Sequence, residues 1–169
     1  ITALLLIPFI KIYTVEMIDI NYIQPTFGYM LIVAEAIYCF RCIYSTVSMN
    51  ANKFKETQFG AILECVINLV ASIILVVAFK LGILGVAIGT VMGMLTRYIF
   101  EVIFLSKNVV CRSVLKTTKM FFVSIGTSIL SIVICRFILN YNSINTFTMW
   151  LLYAIITTLI VGIISLIVY

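Results

Sequence analysis

Residues 81–101 read Leu-Gly-Ile-Leu-Gly-Val-Ala-Ile-Gly-Thr-Val-Met-Gly-Met-Leu-Thr-Arg-Tyr-Ile-Phe-Glu. No charge interrupts Leu81 to Thr96. A membrane strand needs only ~10 residues of strict alternation. This run is continuous instead, as a buried helix requires. Gly85, Gly89 and Gly93 recur every four residues. That spacing puts them on one helix face, where small residues let a second helix approach closely. Arg97 and Glu101 continue the same series and drift only ~40° per step, so they lie near the glycine face. A helix this apolar, with a small-residue stripe ending in opposite charges, belongs in a membrane bundle.

The rest of the chain agrees. Of 169 residues, 64% are hydrophobic and 10% charged, and the mean hydropathy is +1.26. Soluble domains are near half apolar and a quarter charged. The composition excludes an ordinary soluble domain, a disordered tail and a disulfide-stapled module. At ~20 residues per crossing, the length allows about five or six helices. The pattern predicts spans at 26–48, 59–79, 83–106, 120–139 and 146–168, after an apolar opening at 1–10. The opening in mid-span, with no n-region or cleavage motif, is expected of a fragment. The expected division is 1–10, the end of a transmembrane helix; 11–25, an extracytoplasmic loop; 26–106, three spans; 107–119, a basic cytoplasmic loop; and 120–169, two further spans.

Charge orients these spans. Lys53, Lys55, Lys107, Arg112, Lys116 and Lys119 fall in the connections 49–58 and 107–119. The opposite connections carry Lys11, Lys80 and, counted generously, Arg136, together with Glu16 and Asp19. The positive-inside rule therefore places 49–58, 107–119 and the C-terminus in the cytoplasm. The +5 charge is scattered between spans rather than gathered on one face, which gives no sign of nucleic-acid binding. Contact of the basic loops with anionic lipid head groups is a secondary expectation.

Polar residues inside a span should face protein or a watery cavity, because lipid offers no hydrogen-bond partner. In 59–79, Gly60, Glu64, Asn68 and Ser72 form one stripe. In 26–48, Glu35, Tyr38, Arg41, Cys42 and Ser45 share half of the surface. In 120–139, Ser124, Thr127, Ser128, Ser131 and Cys135 do the same. The last span has no charge and is expected to be peripheral and lipid-facing. Arg41, Glu64, Arg97 and Glu101 lie at similar depth, two positive and two negative, which implies mutual pairing or a hydrated cavity. Arg97 and Glu101 at i,i+4 fit a simple salt bridge as well as a pathway role. Glu64 and Asn68 fit interhelical glue better than ligands. Arg41 sits close enough to the interface to snorkel. Glu35 is deeper, and function explains it slightly better than packing does. The glycines are packing residues, and Leu81-Gly82 should make a tight hairpin. Asn52 suits a left-handed helix cap, and Pro25 suits a helix start.

Chemistry-bearing motifs are few. There is no His, and the five Cys are an odd count. Buried thiols acting as small hydrophobes are expected, and Cys39-x-x-Cys42 lies within a span with no second pair. No Gly-rich phosphate loop, paired-carboxylate motif or Asx-rich metal loop occurs. An enzyme, a resident cofactor and a metal are therefore not expected.

Several stretches resemble one family. Pro8-Phe9-Ile10-Lys11-Ile12-Tyr13-Thr14 and Asp19-Ile20-Asn21-Tyr22-Ile23-Gln24-Pro25 look like a span end and outer loop of bacterial polysaccharide flippases. Arg41 with Tyr44, Asn50, Phe54-Lys55-Glu56-Thr57-Gln58, Ala61-Ile62-Leu63-Glu64 and Ile67-Asn68-Leu69 are similar to the next two spans of those flippases. Residues 81–90, with Arg97 beyond, match most clearly. The family is the polysaccharide-transporter branch of the multidrug/oligosaccharidyl-lipid/polysaccharide exporters, which includes Wzx-like and MATE-like carriers. The resemblance covers most of 8–107. Asn52 departs from the family's usual Gly, and Ile43 from its usual Pro. It implies an all-α, multi-pass transmembrane helix bundle, the C-terminal part of a two-bundle MATE-like transporter. The implied cargo is an undecaprenyl-diphosphate-linked oligosaccharide, moved across the bacterial plasma membrane by alternating access. Arg41 and Arg97 would engage the diphosphate, and Glu35, Glu64 and Glu101 would balance them or couple a proton or sodium gradient. A small-molecule antiporter of the same superfamily is the alternative. A membrane-embedded polymerase or glycosyltransferase, or a purely structural subunit, fits less well.

Overall fold

A computed structural model describes residues 1–15, 24–110, 114–141, 144 and 146–168, without the side chains of 114–118 and 120. Glu16, Asp19 and Arg112, and the side chain of Lys116, lie outside the described residues. Six helices follow in order: α1 (Thr2–Tyr13), α2 (Pro25–Asn50), α3 (Phe54–Val77), α4 (Ile83–Asn108), α5 (Val114–Ile138) and α6 (Phe147–Val168). The described residues contain no strand. Helices α2, α3, α4 and α6, and the stretch Phe121–Ile138 of α5, are long and apolar enough to cross a membrane. At 1.5 Å per residue, 20 residues already cover ~30 Å of hydrocarbon. The chain is a multi-pass helical membrane protein.

Two helix starts differ from expectation. Helix α3 begins at Phe54 rather than 59, and α5 at Val114 rather than 120. The connection expected at 49–58 shortens to 51–53, and within 107–119 helix runs to Asn108 and is present again from Val114. Lys, Glu and Gln propagate a helix well even though they do not belong in hydrocarbon. A hydropathy boundary therefore marks where lipid ends, while the backbone ladder continues into the interface. Lys55 and Glu56 sit in the first turn of α3, and Lys107 in the last turn of α4.

The turns follow their sequence signals. The amide of Lys53 donates to the Ser48 carbonyl (3.0 Å) and that of Asn52 to Met49 (3.0 Å). With Asn52 at φ 57°, this is a Schellman cap, which ends α2 and starts α3 one residue later. Between α3 and α4, Lys80 (φ 54°) and Gly82 (φ 55°) both take left-handed conformations. The Leu81 amide reaches back to the Leu75 carbonyl at 3.2 Å. Two positive-φ residues so close together reverse the chain within 78–82.

The chain divides into two compact units, Tyr29–Phe121 and Ile1–Gly28 with Phe122–Tyr169. In the first, α3 and α4 pack antiparallel along their small-residue stripes. Helix α2 meets α4 through larger side chains, where Ile37, Tyr98 and Val102 form a buried cluster joined by Phe40, Tyr44 and Phe121. The Tyr44 and Tyr98 rings meet edge-on at 5.7 Å, and Phe40 meets Phe121 at 4.9 Å.

In the second unit α1 rests on α6. Trp150 Nε1–H donates to the Leu5 carbonyl at 3.1 Å, and its ring lies 5.2 Å from Phe9. Pro8, inside α1, removes the amide that would bond Leu4 and loosens the ladder beside this contact. Tyr141 O–H pairs with Thr157 Oγ1 at 2.8 Å, and Thr157 and Cys135 are fully buried. The hydroxyls of Thr127, Ser128 and Ser131 line a recess of about 120 Å³ with Ser165. All three bond carbonyls of their own helix, which satisfies them without a ligand. Of the five long helices, α6 is the most exposed, as its uncharged sequence predicts.

Candidate functional site

The site is built on the α3–α4 seam. Each step of four along Gly60, Glu64, Asn68 and Ser72 meets a step of four in the opposite direction on α4. A Cβ added to Gly85 would lie 3.1 Å from the Leu75 backbone. One on Gly89 would lie 2.8 Å from the Ser72 amide, and one on Gly93 2.9 Å from the Glu64 carbonyl. Real Cβ atoms do not approach backbone as closely as at Gly89 and Gly93, so glycine is required there by the distance between the helices; at Gly85 the contact is tight and a few tenths of an ångström of movement would relieve it. At Gly89 and Gly93 the α3 backbone occupies the space a Cβ would need. Asn68 belongs to this seam too. Its Oδ1 accepts from Ser72 Oγ at 3.1 Å, and its Cβ faces Gly93.

One turn beyond Gly93 the seam becomes ionic. Arg97 Nε donates to Glu101 Oε1 and Arg97 Nη1 to Glu64 Oε2, both at 2.8 Å. From α2, Arg41 Nη1 donates to the same Glu64 Oε2, also at 2.8 Å. The four side chains form a linear chain, Arg41–Glu64–Arg97–Glu101, crossing three helices. Their side chains are 10%, 18%, 14% and 3% exposed in that order. Formal charge along the chain cancels. By insertion scales each unpaired charge at mid-span costs ~2.5–3.5 kcal/mol, so four would cost on the order of 10 kcal/mol. Pairing removes most of that penalty without any water. Of the two expectations for this layer, the structure realises mutual pairing.

The chain is not fully satisfied at its ends. Arg41 Nε and Glu101 Oε2 are buried and have no hydrogen-bond partner among the described residues. The Arg41 guanidinium also lies 5.0 Å from the centre of the Tyr38 ring, a cation–π contact within α2. Tyr38 stands at i−3 from Arg41, a spacing at which helical side chains meet.

Glu35 is not part of the group. It lies six residues before Arg41, about 9 Å along the helix, on the exposed face of α2. Its carboxylate is 3.9 Å from Cys39 Sγ. Cys39 and Cys42 are free thiols. Among the described residues, no three His, Cys, Asp or Glu side chains gather as a metal site.

The aromatic layer of Phe40, Tyr44, Tyr98 and Phe121 is the part of the site that sequence reasoning missed. Its signal is the recurrence of rings at helical spacing on α2 and α4, which in a membrane helix is indistinguishable from lipid-facing apolar content.

No family model, curated protein or solved structure matches this chain. The ion chain and the seam beneath it therefore carry the functional reading.

Proposed function

We propose that this chain is part of a transmembrane carrier, a flippase for a lipid-linked oligosaccharide or polysaccharide precursor, working by alternating access in the bacterial plasma membrane. The observation that supports it is the neutral four-member ion chain joining α2, α3 and α4 inside their spans. A bundle that only has to stand needs no such chain. Replacing a buried ion network by well-packed apolar residues is often neutral or stabilising by about 1–4 kcal/mol. Ion pairs become useful where helices must change partners, because each arginine can exchange one anion for another at little net cost. An undecaprenyl diphosphate presents such an anion, and guanidinium forks match phosphate oxygens well. In this reading Arg41 and Arg97 serve the diphosphate while Glu64 and Glu101 hold them between cycles. The family resemblance over 8–107 points the same way. Proton or sodium coupling belongs to the same proposal, as does a cytoplasmic face for 49–58 and 107–119.

A small-molecule antiporter of the same superfamily is the second reading, since an exchanging ion chain serves a cationic or anionic solute equally well. A polymerase or glycosyltransferase would call for a long catalytic loop, and the connections between α2 and α5 are short. The deciding experiment is translocation of lipid-linked oligosaccharide by the complete protein in vesicles, with Arg41→Ala and Arg97→Ala. Loss of translocation with an intact fold supports the proposal. Wild-type turnover in both variants removes these residues from the mechanism.

A further inference from the structure

The three helices of the ion chain are not held equally. Helices α3 and α4 touch backbone to backbone at Gly85, Gly89 and Gly93, share a short turn at 78–82, and are cross-linked by Arg97. Helix α2 stands off by the length of ring-bearing side chains, with Ile37 and Tyr44 set against Tyr98 and Val102 of α4, and Phe40 against Phe121 of α5. Its ion pair to the hairpin is Arg41–Glu64. The ion chain shows the same asymmetry. Arg97 has two carboxylates, Glu64 and Glu101, both on the hairpin. Among the described residues Arg41 has one, and the Glu64 oxygen it uses is already taken by Arg97. Arg41 also carries a buried Nε with no partner among those residues, and it has a second resting place on its own helix, the half-exposed Tyr38 ring.

We propose that Arg41–Glu64 is a releasable latch. On opening, α2 swings as one body from the α3–α4 hairpin about the Asn52 turn. Arg41 stays on Tyr38, while Arg97 keeps both Glu64 and Glu101. The hairpin loses none of its own ion pairs, since Glu64 and Glu101 both stay on Arg97; it is left with one net negative charge, and Arg41 carries one positive charge away to the Tyr38 ring. This deepens the carrier reading by naming its moving joint, and it rests on that reading only for its purpose. The geometry makes α2 a lever. Arg41 is nine residues from Asn50, about 14 Å along the helix, and Tyr29 is twenty-one residues away, about 32 Å. A separation of ~2 Å at the latch therefore becomes ~5 Å at Tyr29.

The test uses pulsed electron-spin distance measurement on the complete protein in nanodiscs, with native cysteines replaced by Ser. One label pair is Tyr29→Cys with Phe79→Cys, both exposed, across the opening end. The control pair is Ile62→Cys with Ile99→Cys, within the hairpin. The expected result is a second, longer Tyr29–Phe79 population in the parent, about 5 Å beyond the main one. Its share should rise at least threefold in Arg41→Gln, and the hairpin distance should not change. Arg41→Lys, which keeps the charge but loses the fork, should fall between. A single unchanged distance in parent and Arg41→Gln overturns the latch, as does an equal shift of the hairpin pair. Both readouts are independent of cargo, so a failed translocation assay leaves them decisive.

Discussion

Gly89→Ala and Gly126→Ala are the same chemical change in two membrane helices, and the structure predicts opposite outcomes. At Gly89 the new Cβ would fall 2.8 Å from the Ser72 amide nitrogen and 3.0 Å from its Cα, with the Ser72 hydroxyl nearer still. Ordinary contact begins near 3.4 Å, so the helices must separate by about 0.6 Å or α4 must rotate. Overpacking of this kind costs about 1–3 kcal/mol. The gain in helix propensity returns at most ~1 kcal/mol. The net expectation is a loss of about 1–2 kcal/mol. A Cβ added at Gly126 would meet no described atom within 4 Å beyond its chain neighbours and its own helix backbone. There only the propensity gain remains, and stability should stay level or rise by up to ~1 kcal/mol. Because the closest unyielding atoms are backbone, adding Ser72→Ala to Gly89→Ala should recover only part of the loss. Reversible unfolding in mixed micelles by added SDS, followed by circular dichroism, measures all three variants. Equal stability of Gly89→Ala and Gly126→Ala would refute the close approach of α3 and α4, and with it the geometry that brings Glu64 to Arg97.

Four further outcomes rest on particular contacts. Glu64→Gln leaves Arg41 and Arg97 sharing too little negative charge and should cost about 3–5 kcal/mol in the same unfolding assay, while Glu35→Gln, on the exposed face, should stay within ~0.5 kcal/mol. Replacing the whole chain together, as Arg41→Met, Glu64→Leu, Arg97→Met and Glu101→Leu, should preserve or raise stability yet abolish translocation; retained translocation would reduce the ion chain to scaffolding. Lys80→Gly relieves a left-handed lysine and should stabilise by about 1 kcal/mol, read as a higher SDS midpoint, whereas Lys80→Val should lower it. Trp150→Phe loses the hydrogen bond to Leu5 and should cost about 1 kcal/mol; no change in midpoint would argue that α1 is not anchored to α6 through the indole.

Much of the fold was legible because the membrane imposes simple rules. Hydrocarbon thickness sets span length, so the apolar runs give five helices at nearly the observed places. Special backbone positions also announced themselves, as Asn52 and Gly82 show, because few residues tolerate positive φ. Where the expectation slipped, at Phe54 and Val114, hydropathy was asked to mark a helix end that it does not control. The stripes on α3 and α4 were each readable by period. That they face one another was not, since spacing along one helix says nothing of the face it meets. The four charges were legible as a layer for the same reason, through depth counted from the span ends.

By itself the sequence determined that this chain is helical, crosses a membrane several times, and carries two arginines and two glutamates at one depth. Only the tertiary structure decided that these four are joined into one chain, that Glu64 serves both arginines through one oxygen, and that Glu35 stands apart. The physical reason is that apolar content and helical period are properties of a segment in a solvent. Ion pairing depends on distances of a few ångströms between segments. Those distances were set by how closely three glycines on α4 let α3 approach, and by how far a layer of aromatic rings held α2 away.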